Sequence, residues 1–165
     1  MPPLQDLIVA GQPGPLGLSS VVAVIMGGLF LLYRGMIDYR IPLLTCVAAY
    51  VALMVLPIPA LIDNGAQWRW GAFRTPATGW SAGITFVNYE IMASPLIFTA
   101  FFLATTASIR PMTARGRAVF AIALGLVAAA LQLYVSVSYG PYLALLIVSL
   151  FTPELDKLFK IKPLF

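Results

Sequence analysis

Apolar positions gather into five runs separated by polar breaks: residues 18–33, 41–62, 84–105, 118–137 and 139–151. A helix needs about 20 residues, at about 1.5 Å of rise each, to cross about 30 Å of hydrocarbon. The second, third and fourth runs meet that length, and the first is slightly short. The fifth, with 13 uninterrupted residues, crosses only if it tilts little, borrows the following TPELDKLF as its last turns, or is shielded by neighbouring protein. The pattern predicts an all-α integral membrane chain of about five transmembrane helices. It divides into an N-terminal segment outside the membrane (1–16), a five-helix membrane domain (17–156) and a basic tail (157–165).

Composition agrees with that division. Apolar residues make up 61% of the 165 positions and charged residues 10%, against roughly 45–50% and about 25% in soluble domains. A soluble chain of this size has no interior large enough to hide that surface. The mean hydropathy is +0.93.

The polar breaks assign sides. If five helices alternate, Arg34 and Arg40, Arg110, Arg115 and Arg117, and Lys157, Lys160 and Lys162 share one face of the membrane, with only Arg69 and Arg74 opposite. Eight of ten basic groups on one side is a positive-inside pattern. It predicts a multi-pass membrane protein with its N-terminus outside and its C-terminus in the cytoplasm. Had the fifth run not crossed, the tail lysines would join the minority side. The net charge of +4 is dispersed among short loops and forms no basic stripe, so nucleic acid is not an expected partner. Residues 1–16 lack Lys and Arg and are broken by Pro and Gly, unlike a secretory signal.

Little side-chain chemistry is available. Without histidine, and with Cys46 as the lone cysteine, histidine-ligated haem, zinc clusters, iron–sulfur clusters and histidine-based nucleophilic triads are excluded within the chain, and no metal site is expected. Cys46 reads as a buried inert thiol. GQPGPLG, residues 11–17, lacks the Lys-Ser/Thr ending of a phosphate loop and reads as a turn. Trp68, Trp70 and Trp80 read as anchors at the outer interface, with stacking on a flavin or quinone ring as the sharper alternative. Glu90, in FVNYEIMASP, is an acid near the start of the third run. It reads as an interfacial or hydrogen-bonded structural carboxylate, with ion or proton handling as the alternative. Pro95 interrupts the same run, as a kink in a bundle or as a broken helix lining a cavity. Gly27 and Gly28, and Ala121, Gly125 and Ala129 at a spacing of four, read as helix-packing faces. Arg34, Arg40, Arg110, Arg115 and Arg117 read as cytoplasmic anchors, and FFLATTASIRPMTARGRAVF (101–120) as the turn between the third and fourth helices.

Taken together, GPLGLSSVVAVIMGGLFLLYRGMIDYRIPLL, SPLIFTAFFLATTASIRPMTARGRAVFAIALG and FTPELD resemble the C-terminal half of one family. It comprises the membrane subunits called D in the Rnf electron-transport complex and B in the sodium-pumping NADH:quinone oxidoreductase, Nqr. The likeness runs from about Leu4 to Asp156. It is carried by Gly27-Gly28-Leu29 with Tyr33-Arg34, Asp38 with Arg40-Ile41-Pro42, the run 101–105, Arg115-Gly116-Arg117, and Pro153 with Leu155-Asp156. The resemblance implies one repeat of a two-repeat, urea-transporter-like fold. The family's covalent FMN sits on a Thr in a Ser-Gly-Ala-Thr type motif upstream of the matched region, so no covalent FMN is predicted here. Leu18 stands where the family has Glu, Thr106-Ala107 where it has Asp-Pro, and Ser149 where it has Asn.

These departures suggest a scaffold retained while cofactor or ion chemistry was relaxed. The leading expectation is a mainly structural subunit of a membrane-bound electron-transfer complex, like a truncated member of the D or B type and not catalytic alone. Its partners would be other membrane subunits of a redox complex, and lipid. A small-solute or ion channel subunit, and a redox subunit with noncovalent flavin or quinone at a subunit interface, stay open as alternatives.

Overall fold

The computed structural model describes residues 20–62, 65–70 and 79–159. The chain there is mostly helical. Helix α1, Val21–Tyr33, starts where Ser20 adopts an extended backbone and its side chain accepts the Ala23 N–H, satisfying one of the free donors of the first turn. It ends in a turn that passes through Gly35 at a φ of 70°, a conformation that favours glycine.

Helix α2, Arg40–Val55, is shorter than the second apolar run. Leu56 is extended, with ψ at 141°, because the ring of Pro57 disfavours a helical conformation in the residue before it. Residues 57–62, expected to complete a transmembrane helix, instead form strand β1, Pro57–Ile62. It pairs antiparallel with β2, Gly65–Trp70, so that Pro57 faces Trp70 and Ile62 faces Gly65. Apart from this hairpin the described chain is mostly helical, as expected.

The third apolar run is a broken helix. Helix α3, Gly79–Ala93, gives way at Ser94 and Pro95 to the short α4, Leu96–Phe98, which continues as a π-helical turn, Thr99–Leu103. The two limbs, 83–93 and 96–103, meet at 63°. Pro95 lacks the N–H that would have continued the ladder, and kinks this sharp need such a cause.

Helix α5, Ala114–Tyr134, is the long element at 21 residues. Thr113 caps it by accepting the Gly116 N–H at 3.1 Å. The helix begins four residues before the apolar run does, so Arg115 and Arg117 lie in its first turn rather than in the loop where sequence placed them. Helix α6, Gly140–Leu150, is followed after Phe151 by a separate helix α7, Thr152–Leu158. The residues TPELDKL therefore do not extend α6; Pro153 lies in the first turn of α7, where its missing N–H costs nothing.

By length and composition α5 is the one described helix that can cross a membrane by itself, and the two limbs of the broken helix reach that length together. Helices α1, α2 and α6 are apolar but hold 13, 16 and 11 residues.

The core lies where α2 and α6 pack on α5. Ile41, Ala49 and Leu53 meet Phe120, Ala121, Leu124 and Ala128, with Ala144 and Val148 from the far side. The α2–α5 crossing is close because of Gly125: a Cβ there would stand 2.5 Å from the Thr45 carbonyl oxygen and 2.9 Å from the Ala49 nitrogen. Ala121 and Ala129, one turn to either side of it, are fully buried. Helix α1 lies at the edge, with Gly27 and Gly28 turned to the rings of Phe102 and Phe101 and most of its large side chains exposed.

Candidate functional site

Polar side chains inside so apolar a chain have few partners, and the fold gathers them at two places. The first is a charged knot. Asp38, in the α1–α2 turn, directs Oδ2 to the guanidinium groups of both Arg117 and Arg110, the latter at 3.4 Å. Close by, the Met112 N–H donates to Asp156 Oδ1 at 3.0 Å and the Thr152 hydroxyl to the Ile109 carbonyl at 3.1 Å. One carboxylate thus holds the start of α2 to the start of α5, and α7 is tied to the turn that leads into α5. Arg34, Arg40 and Arg115 are exposed beside this knot and form no ion pair with a carboxylate among the described residues.

The second place is near the other end of α5. Gln132 is fully buried, and its Nε2 donates to the Glu90 backbone carbonyl at 2.7 Å and to Glu90 Oε2 at 2.9 Å. Glu90 lies one turn before the Ser94–Pro95 break, where Ser94 returns its hydroxyl to the Ile91 carbonyl. Helix α6 begins against the same point: a Cβ on Gly140 would stand 2.7 Å from the Gln132 nitrogen. Gln132 Oε1 and the hydroxyls of Thr45 and Thr99 are buried without hydrogen-bond partners among the described residues. Most buried polar atoms in proteins find one. Helices α2 and α5 and the π-helical turn therefore each hold a buried polar atom with unused hydrogen-bonding capacity.

No group of three His, Cys, Asp or Glu side chains among the described residues is placed to hold a metal ion. At the second place the chemistry on offer is hydrogen bonding around one carboxylate, Glu90.

Residues 2–164 match the family described as NQR2, RnfD, RnfE. The chain belongs to that family. Its curated relatives include the D subunit of the Na(+)-translocating ferredoxin:NAD(+) oxidoreductase complex of Acetobacterium woodii, 28% identical over 97% of this chain and 42% of the relative. The D subunit of the proton-translocating ferredoxin:NAD(+) oxidoreductase complex of Clostridium ljungdahlii is 28% identical over 92% of this chain and 40% of the relative. The D subunit of an ion-translocating oxidoreductase complex of Halorhodospira halophila is 30% identical over 87% and 35%. The chain thus spans about two fifths of the length of these relatives.

In this NQR2/RnfD/RnfE chain the residues singled out by sequence divide unevenly between the two polar places. Arg110 and Arg117 enter the knot, whereas Arg34, Arg40 and Arg115 stand outside it. Glu90 sits in the second place. Trp68 and Trp70 belong to β2 and Trp80 to the first turn of α3; their side chains lie outside the described residues, as do Arg74, Lys160, Lys162 and residues 1–16.

Gln132 and Asp38 were not among the candidate site residues read from sequence. A signal existed for Gln132, the single strongly polar side chain in a run of 17 otherwise apolar residues from Ala118 to Tyr134. An amide there needs a partner on another helix.

Proposed function

We propose that this chain is a multi-pass, mainly structural membrane subunit of an ion-translocating electron-transfer complex in a bacterial cytoplasmic membrane. The observation that carries the reading is the unbroken family match over residues 2–164, with relatives that are each the D subunit of such a complex. The fold supports it. Five apolar helical units, with the two limbs of the broken helix taken as one, are held together by small residues and internal hydrogen bonds, and the side chains that could react are few. In this reading the five units cross the membrane as one repeat of a two-repeat fold. The knot around Asp38 faces the cytoplasm, Glu90 and Gln132 lie toward the outer side, and flavin or quinone, where bound, sits noncovalently at a subunit interface.

The test is purification of the tagged chain from native membranes under mild detergent. Recovery with other membrane subunits and with a flavin absorbance band in the assembly supports the proposal. A stable, colourless oligomer of this chain alone sinks it.

The hydrogen-bonded Glu90 beside a broken helix favours a second reading, ion or proton handling at that carboxylate. Ion flux into liposomes that is lost in Glu90→Gln would favour it. Equal flux in both proteins, or none in either, leaves Glu90 a structural group.

A further inference from the structure

Helix α1 uses its two faces differently. Its small residues Gly27 and Gly28 meet the rings of Phe102 and Phe101. Its large ones look outward: Met26 is 67% exposed, Phe30 58% and Tyr33 90%, with Val22 and Leu29 beside them. Helices that pack on other helices in a membrane do so through small residues, and α1 spends its own on the inside. The bulky outer face suits fluid acyl chains.

Two cations stand at the end of that face. The Arg34 guanidinium lies 5.8 Å from the centre of the Phe30 ring, and that of Arg40 lies 5.9 Å from the Tyr39 ring. Each is exposed and carries its charge over the ring of an exposed aromatic side chain. The acid in the same turn, Asp38, makes its ion pairs with Arg110 and Arg117 and none with Arg34 or Arg40. Helix α2 starts here without a side-chain cap, so the positive end of its dipole adds to the same field.

We infer that the α1–α2 turn is a binding site for an anionic phospholipid. Its phosphate meets Arg34 and Arg40 and its acyl chains lie along Val22, Met26, Leu29 and Phe30. The planar guanidinium groups suit a phosphodiester, to which each can donate two hydrogen bonds. The inference rests on the membrane placement proposed above. The two can fail separately: failure to enter lipid nanodiscs at all would count against the placement, whereas entry without lipid preference counts against the site alone.

The experiment is native mass spectrometry of the full chain after incubation with equimolar phosphatidylglycerol and phosphatidylcholine. It compares the unmodified protein with Arg34→Gln/Arg40→Gln and with a charge-matched control, Arg115→Gln/Lys157→Gln. Circular dichroism establishes that each variant keeps its helicity, and Arg34→Lys/Arg40→Lys retains the charge should the glutamine variant not fold. Removing two cations that face an anionic headgroup should lower phosphatidylglycerol retention roughly 10- to 30-fold. The control and the lysine variant should keep the preference for phosphatidylglycerol. Equal retention of the two lipids by the unmodified protein overturns the proposal, as does equal loss in the two glutamine variants. Displacement of the lipid by millimolar inorganic phosphate would also overturn it, assigning the arginines to a free anion. So would disulfide cross-linking of Met26→Cys to a second copy, which would give the face to protein.

Discussion

Gln132 binds Glu90 twice through one nitrogen, at 2.7 Å to the backbone carbonyl and 2.9 Å to the carboxylate, across 42 positions of sequence. The pair joins the end of the long helix to the broken one at the point where the backbone is about to lose its regular ladder. A carbonyl near a proline break and a carboxylate in an apolar bundle both need a donor, and a single amide serves both.

Replacing Gln132 with Leu should therefore destabilise the protein by about 1–3 kcal/mol, the cost of leaving a buried acceptor unpaired. Glu90→Gln, which keeps an oxygen where Oε2 accepts, should cost less. Thermal unfolding in a fixed detergent measures both. If Gln132→Leu is as stable as the parent, the hydrogen bonds do not hold the break.

At the α2–α5 crossing the controlling feature is an absent side chain. Gly125→Ala puts a methyl 2.5 Å from a backbone oxygen, which a rotamer change cannot relieve. The helices must separate, at a cost of about 1–3 kcal/mol. Gly35→Ala meets no atom within 4 Å but must hold a φ of 70°, a backbone cost of about 1 kcal/mol. The same unfolding assay should rank Gly125→Val below Gly125→Ala and leave Gly35→Ala the mildest; the reverse order would show that the crossing does not depend on a bare backbone at Gly125.

Asp38→Asn removes the shared partner of Arg110 and Arg117. The knot is partly open to water, with side-chain exposures of 24–40%, so the expected loss is modest, about 1 kcal/mol. It should shrink as salt rises and screens the parent's ion pairs. Melting curves at low and high ionic strength test this, and a loss independent of salt would point to packing instead.

The bend should depend on Pro95. Restoring the N–H with Pro95→Ala lets the two limbs, now at 63°, approach one continuous helix. Spin labels at the exposed positions Thr85 and Thr106 should then move apart by roughly 5 Å, from the difference between a bent and a straight path at 1.5 Å per residue. An unchanged distance would show that the π-helical turn and the packing of Phe101 and Phe102 on α1 hold the bend without the proline.

Several of the departures from the sequence reading had local causes. Pro57 and Pro59 mark the end of α2 and the start of a strand by rules that need no tertiary information, yet the apolar run continues through them to Ile62 and hides the boundary. Thr113 stands ahead of Ala114 as a side-chain cap, and it starts α5 before the apolar residues begin. Hydropathy marks where a chain is greasy. Caps and prolines mark where a helix begins and ends.

Composition and the five apolar runs were enough to establish a mostly helical chain of membrane character, and the motifs from GPLGLSS to FTPELD were enough to place it in its family. These are properties of residue type and of neighbours along the chain, which helices of fixed rise express directly. What the amino acids could not declare in one dimension was which groups meet. Asp38 lies 72 positions from Arg110, Glu90 42 from Gln132, and Gly125 matters only because Thr45 crosses it. Those pairings depend on how helices cross and where one of them bends. Hydrogen bonds and close contacts act over about 3 Å, so they select partners only after packing has brought distant turns together.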